Sequence, residues 1–249
     1  MVRYFKWRVA IVFPLVLLLC VYLFLVGANF YYAKRASYLL HRIRTLQVDQ
    51  SAIGELEKLG SEHGLRYDPT EPGNCKKIAC VNIVSVNNRW MWSFLKSPTL
   101  SRLGGYVGLR KWQAVGDIEV QNDKVIGKIY GIALFTDPLS SDIEATAWQQ
   151  HTLEIDACEY YALRRHHGYA FRNASNIRSF AAEVSDEASQ FSREHAFQFD
   201  LNCLTSWRRC SQFSQIVPSA WGDYEDDVRW MDTHHRPDAI RHVGAKCPY

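Results

Sequence analysis

The sequence predicts an α+β protein in two parts: an N-terminal transmembrane helix, then one disulfide-containing domain with a mainly antiparallel sheet and a few short helices. Three observations predict it. Val9 to Val26 runs for eighteen residues without a charge, and fourteen of these are Leu, Ile, Val or Phe. Six of the seven cysteines, Cys75, Cys80, Cys158, Cys203, Cys210 and Cys247, fall downstream of that run. Segments rich in β-branched residues, several alternating apolar with polar side chains, punctuate the remainder.

A helix of this length spans hydrocarbon, particularly if Gly27 to Tyr32 continue it to the interface. At roughly −0.3 to −0.6 kcal/mol per apolar residue, insertion gains about −4 to −8 kcal/mol as an upper bound. Tyr4, Phe5 and Trp7 precede the run and Phe30, Tyr31 and Tyr32 follow it, two aromatic belts suited to two headgroup layers. A cleaved signal peptide is the rival reading, with Val26-Gly27-Ala28 as the cleavage point. The apolar region exceeds the 7 to 15 residues usual for one.

Orientation by charge is close to a tie, because Arg3, Lys6 and Arg8 lead the run and Lys34, Arg35, Arg42 and Arg44 trail it. The cysteines break it: an even set downstream suits an exported, oxidised domain. The expected organisation is a cytoplasmic tail over residues 1–8, a signal-anchor helix over 9–32, a helical stalk over 33–66 and an extracytoplasmic α+β domain over 67–249. The net charge of +3 conceals an asymmetry. Residues 1 to 44 hold seven bases and no acid, so residues 45 to 249 carry 22 bases against 26 acids. The basic end suits anionic lipid, and the acidic remainder argues against nucleic acid as a partner.

Tyr38, Leu39, Ile43 and Leu46 recur at helical spacing and extend the membrane helix outward as an amphipathic stalk. Ser51 can cap a second helix with Ile53, Leu56 and Leu59 on one face and Gly60 or Gly64 as its stop. Asp68 to Asn74 is turn chemistry. Ile78 to Val86 reads as a strand, and Trp90, Trp92 and Phe94 alternate as on a half-buried strand or its edge. Gly104-Gly105 breaks that run; Tyr106 to Val115 and Asp117 to Gln121 read as strands, with Ile118 and Val120 inward. Asn122-Asp123 supplies a hairpin turn into Val125 to Phe135, where Gly127 and Gly131 mark a bulge or a close approach.

Ser141 and Glu144 have capping-box spacing, so Asp142 to His151 is expected to be a helix carrying Trp148 inward. Leu153 to Leu163 reads as a strand, and Arg164 to Asn176 as an exposed loop containing the glycosylation triplet Asn173-Ala174-Ser175. Phe197, Phe199, Leu201 and Cys203 alternate with polar residues, as in a strand with one buried face. A short helix over Ser211 to Ile216 should stop at Pro218. Gly222 to Tyr249 reads as an irregular surface tail.

Few residues suggest chemistry. The six outer cysteines admit fifteen pairings; the sequence-local pairs Cys75–Cys80 and Cys203–Cys210 would leave Cys158 for Cys247. Their C-x4-C and C-x6-C spacings suit structural bridges better than a redox pair. His234, His235 and His242, with Asp232 or Asp238, are the ligand types a zinc ion takes, without an H-E-x-x-H helix to arrange them. His166-His167 is a weaker pair. Trp207, Arg208 and Arg209, inside the Cys203–Cys210 loop, have the composition of a binding surface, whereas Trp90, Trp92 and Phe94 are better explained by core packing. No nucleophile elbow, phosphate loop or dinucleotide fingerprint occurs: Gly127-Lys128 lacks the glycine five positions earlier, where Asn122 stands. Glu154, Asp156 and Glu159 read as a solvated edge.

The helix over Leu46 to Gly64 followed by the hairpin over Asp117 to Ile132 resembles small bacterial envelope lipoproteins of the outer-membrane assembly type, over a minor part of the chain. Cys20 departs from that family, lying within the apolar run rather than at a lipidation site. An apolar N-terminal helix before a β domain is similar to a type IV pilin, but the early acid of the pilin helix is missing. Neither is adopted. The expectation is a single-pass, membrane-anchored extracytoplasmic domain with a structural or partner-binding role. Its partners are the lipid bilayer and an envelope protein, and it has no cofactor. The alternative is an envelope metal-assisted hydrolase using the C-terminal histidines.

Overall fold

The computed structural model describes residues 2–48, 51, 53–61, 66–69, 80–122, 124–135, 142–150, 160–164, 167–174, 177–185, 188–205, 210 and 212–233. It is α+β: a long apolar helix, then a mainly antiparallel sheet with short helices and a Cys203–Cys210 disulfide.

Helix α1, Val2–Thr45, is unbroken, about 66 Å long at 1.5 Å per residue. Its two halves meet different surroundings. From Ile11 to Phe24 its large apolar side chains are exposed; it is the one described helix long and apolar enough to cross a membrane. From Leu25 onward one stripe, Leu25, Ala33, Ala36, Leu39, Leu40 and Ile43, is buried. The 3.6-residue period of that stripe makes α1 the central core helix of the domain.

After α1 the chain turns through Ser51, whose hydroxyl accepts from the Gln47 N–H (3.0 Å) and whose carbonyl accepts from Val125 (3.1 Å). Ser51 is therefore occupied with the turn that precedes α2, Ile53–Ser61. Leu59 of α2 is buried. The strands are β1 (Arg66–Pro69), β2 (Cys80–Asn87), β3 (Lys111–Gln121), β4 (Lys124–Phe135), β5 (Asp142–Gln150), β6 (Tyr160–Arg164), β7 (His167–Ala174) and β8 (Ile177–Ser185). They form a sheet in the order β1-β2-β3-β4-β5-β8-β7-β6, antiparallel throughout except for the β5·β8 pair.

The β3–β4 hairpin follows its sequence signals. Asn122 takes the left-handed conformation at φ 53°, which asparagine tolerates. The register slips between Glu119 and Val120, opposite Gly127 and Val125, so one residue of β4 bulges. Trp112, Ala114, Ile118 and Val120 of β3 are buried against α1, with Gly116 among them. A Cβ at Gly116 would collide with the Ile43 side chain, so the bare backbone is what lets α1 lie this close.

Several segments depart from the sequence reading. Trp90, Trp92 and Phe94 lie on helix α3, Arg89–Phe94, not on a strand, and all three are exposed rather than core. Met91 and Leu95, four apart, are what α3 buries. Gly104-Gly105 sits inside helix α4, Pro98–Tyr106, which Ser97 caps by accepting from the Leu100 N–H (3.2 Å). Residues 142–150 are strand β5 instead of a helix: Ile143, Ala145, Ala147 and Gln149 face the core at period two, and Trp148 points to the other side. The segment read as a loop from Arg164 contains β7.

Phe197, Phe199 and Leu201 are buried and Gln198, Asp200 and Asn202 exposed, as the alternation requires. They belong to no strand, however. They follow helix α5, Gln190–Ala196, in an extended stretch that closes into a 3-10 turn, Leu201–Leu204. The short helix expected over Ser211 to Ile216 is a 3-10 turn, Phe213–Gln215, which ends before Pro218; Pro218 itself begins a longer helix, α6, Pro218–Thr233, since the N–H it lacks would have no partner in a first turn. The tail expected from Gly222 is helical to Thr233. Trp221 and Tyr224 of α6 pack with Phe213 around the buried Phe180 ring, at centroid distances of 5.3 to 5.8 Å from it.

Candidate functional site

A buried polar cluster fixes α1 to the domain just beyond its apolar half. The Asn29 carbonyl oxygen Oδ1 accepts from Trp112 Nε1 (2.7 Å) and from Asn88 Nδ2 (2.9 Å), while its own amide donates to the Leu204 carbonyl (2.8 Å). Asn88 in turn accepts from the Trp112 backbone N–H (3.1 Å) and donates to the Arg110 carbonyl (2.6 Å). The three side chains are at most 5% exposed. Four separate segments are tied together here, and each buried amide has its partners, which is the condition for such a cluster to stabilise rather than weaken a core. Further along, the Tyr130 hydroxyl donates to the Ala36 carbonyl (3.2 Å). Burial pushes the pKa of that phenol above its ordinary range, which favours the protonated form that donates here.

At the far end of α1 a cleft of about 600 Å³ opens between the helix terminus, the sheet and α5. Arg44, Lys128, Arg193, Glu194, Gln149 and Phe197 contribute to its lining. Lys128, 5% exposed, is the residue the cleft is built on. Its register on β4, opposite Gln149 of β5, turns it toward the core. There its Nζ donates to the carbonyls of Leu46 (2.6 Å) and Arg44 (3.2 Å) and lies 5.3 Å from the centre of the Phe197 ring. Those carbonyls are the ones a helix C-terminus leaves without internal partners, and a cation there also meets the negative end of the helix dipole.

Burial, with Arg193 and Arg44 nearby, brings the Lys128 ammonium down to about 8. At neutral pH it is still mostly charged. Among its lining residues the cleft therefore sets three cations against the single carboxylate Glu194, on a mainly polar surface. What this arrangement can do is hold an anionic group. Among the described residues no three His, Cys, Asp or Glu side chains come together as a metal site would need. His195 and Asp223 meet at 3.2 Å and join α5 to α6, both side chains partly exposed.

Of the residues singled out from sequence, Cys203 and Cys210 are joined, with Cα atoms 5.5 Å apart. Cys20 is a free, exposed thiol on α1. Cys80 is the first residue of β2, while Cys75, Cys158 and Cys247 lie outside the described residues. So do His166, His234, His235, His242, Trp207, Arg208 and Arg209, and with them the hydrolase alternative. Lys128, Arg193, Asn29 and Asn88 went unnoticed. Lys128 was visible only as a lysine at a core-facing position of an alternating strand, and Asn29 as one amide within a long apolar helix.

No protein-family model matches the chain, and neither curated proteins nor solved structures give a match. The function has to be argued from the site.

Proposed function

We propose that the chain is a single-pass, membrane-anchored domain outside the cytoplasm, which presents a basic cleft to an anionic group of an envelope partner. One observation carries the reading: α1 is a single helix whose first half is apolar and exposed and whose second half is the core of the domain. A domain built around its own anchor is held at a set angle and height. Arg44 lies eighteen residues beyond Val26, so the cleft stands about 27 Å from the end of the apolar run.

Retention of the anchor is supported by the packing. Cleavage after Ala28 would strip away Leu25, which is buried, and leave Asn29 as a charged terminus in the middle of its hydrogen-bond cluster. The Cys203–Cys210 bridge supports the oxidising side of a bilayer for the domain.

The cleft is tested with two probes, inorganic phosphate and an acidic hexapeptide, on the full-length protein in detergent. We expect each to raise the melting temperature in a salt-sensitive way, and the double variant Arg44→Ala, Arg193→Ala to abolish the rise. A wild-type protein indifferent to both probes contradicts the assignment.

A further inference from the structure

Helices α3 and α4 expose an unusual amount of apolar surface for a domain otherwise conventionally packed. Leu103 is 58% and Tyr106 75% exposed, and Trp90, Trp92, Phe94, Leu100 and Val107 are also exposed. Trp92 keeps only part of its ring exposed, since it packs on Phe135 at 4.8 Å, but large apolar side chains left exposed on two successive short helices mark an interaction site. Its position says with what. Met91, Leu95 and Leu109 form a small core of their own with Leu25, Tyr22 and Val26 of α1, and Trp90 packs edge-on to Phe24 at 5.6 Å. The patch is thus fastened to the last turns of the apolar, exposed half of α1, at the level where that half ends.

Charge points the same way. From Arg89 to Lys111 the chain has five basic residues, Arg89, Lys96, Arg102, Arg110 and Lys111, and no acid, although the sequence beyond residue 44 is acidic on balance. Trp, Tyr, Phe and Leu interleaved with Lys and Arg is the composition of a segment lying in the headgroup layer, its rings at the hydrocarbon boundary and its cations on lipid phosphates.

We infer that α3 and α4 form an interfacial element that lies against anionic phospholipid beside the α1 span, so that the domain grips the bilayer at two places rather than one. The inference rests on reading α1 as a membrane span. Two attachments fix the rotation of the domain about α1, which a single span leaves free.

The test is photo-crosslinking of the full-length protein, with p-benzoylphenylalanine replacing in turn Leu103, Tyr106, Leu18 in the middle of the apolar run, and Glu55 on α2, which follows the far end of α1. Each is reconstituted in phosphatidylcholine vesicles with and without one-third phosphatidylglycerol. We expect lipid adducts at 103 and 106 well above the level at 55, and severalfold more of them in the anionic vesicles. Adducts at 18 but not at 103 or 106 overturn the inference and leave the span standing. No adduct at 18 removes the span itself, and the inference with it. Crosslinks from 103 or 106 to a second copy of the chain would make the face a protein contact instead. Equal yields in the two vesicle types would overturn the anionic assignment.

Discussion

Asn29 is a demanding position, because two buried donors depend on its one oxygen. Asn29→Leu keeps the size and apolar character a membrane-proximal helix favours, yet leaves Trp112 Nε1 and Asn88 Nδ2 without that partner. At roughly 1 to 3 kcal/mol for each buried donor left unmade, the variant should lose about 2 to 6 kcal/mol. Thermal unfolding of the detergent-solubilised protein measures it, and a loss under about 0.5 kcal/mol would show that the cluster is dispensable. Lys128 makes a pH-dependent prediction. The unfolded chain keeps this proton up to about 10.5, whereas the folded protein releases it near 8. Within that window the unfolded state binds more protons, so folding gains stability as pH rises, by up to about 3 kcal/mol. Wild type compared with Lys128→Met isolates the term from other groups that titrate there. Their stability difference should move toward wild type between pH 8 and 10.5, and a flat difference would contradict the buried position of the ammonium.

At the scale of the element, the contact between α1 and β3 is close enough at Gly116 to leave no room for a side chain. Gly116→Ala places a methyl group against Ile43, and overpacking of this kind destabilises by about 1 to 3 kcal/mol. Ile43→Val removes the atom in the way. The double variant should therefore be more stable than the sum of the two single losses predicts, by an interaction term of about 0.5 kcal/mol or more, read from a double-mutant cycle in urea. Strict additivity would place α1 farther from the sheet than described. The elements also show what periodicity can and cannot tell. The hairpin was legible because Asn122, the bulge beside Gly127 and the alternation over Asp117 to Gln121 are local effects with local causes. Strand β5 was not, since its inward residues include Ala145, Ala147 and Gln149, too weakly apolar to outweigh a capping-box pair at Ser141 and Glu144. Helix α3 was misread for a related reason: its aromatic residues are spaced by two and outnumber Met91 and Leu95, the pair that packs. Trp90, Trp92 and Phe94 are conspicuous in sequence, yet each stays more than a third exposed while Met91 is fully buried. Phe197 to Leu201 has the burial rhythm of a strand but no neighbouring strand to pair with, and backbone pairing is a tertiary property that no rhythm encodes.

On the scale of the whole molecule, the long apolar helix, the mainly antiparallel sheet and the Cys203–Cys210 bridge were all readable in advance. The role of α1 within the domain was not. A helix that changes from an exposed apolar surface to a buried stripe at Leu25 looks, in sequence, like a span followed by a stalk; only the sheet laid against Ala36, Leu39 and Ile43 makes it a core helix. The cleft escaped for the same reason, since Arg44, Lys128 and Arg193 are far apart in the chain and meet only where α1 ends against β4 and α5. The proposed double role of α1, as anchor and as core helix, implies that domain and span cannot be separated without destabilising the domain. The intact mass of the protein recovered from membranes after alkaline carbonate washing tests this most directly. We expect a chain beginning at Met1 or Val2 that stays in the pellet. A soluble, folded chain beginning near Ala28 or Asn29 would contradict it.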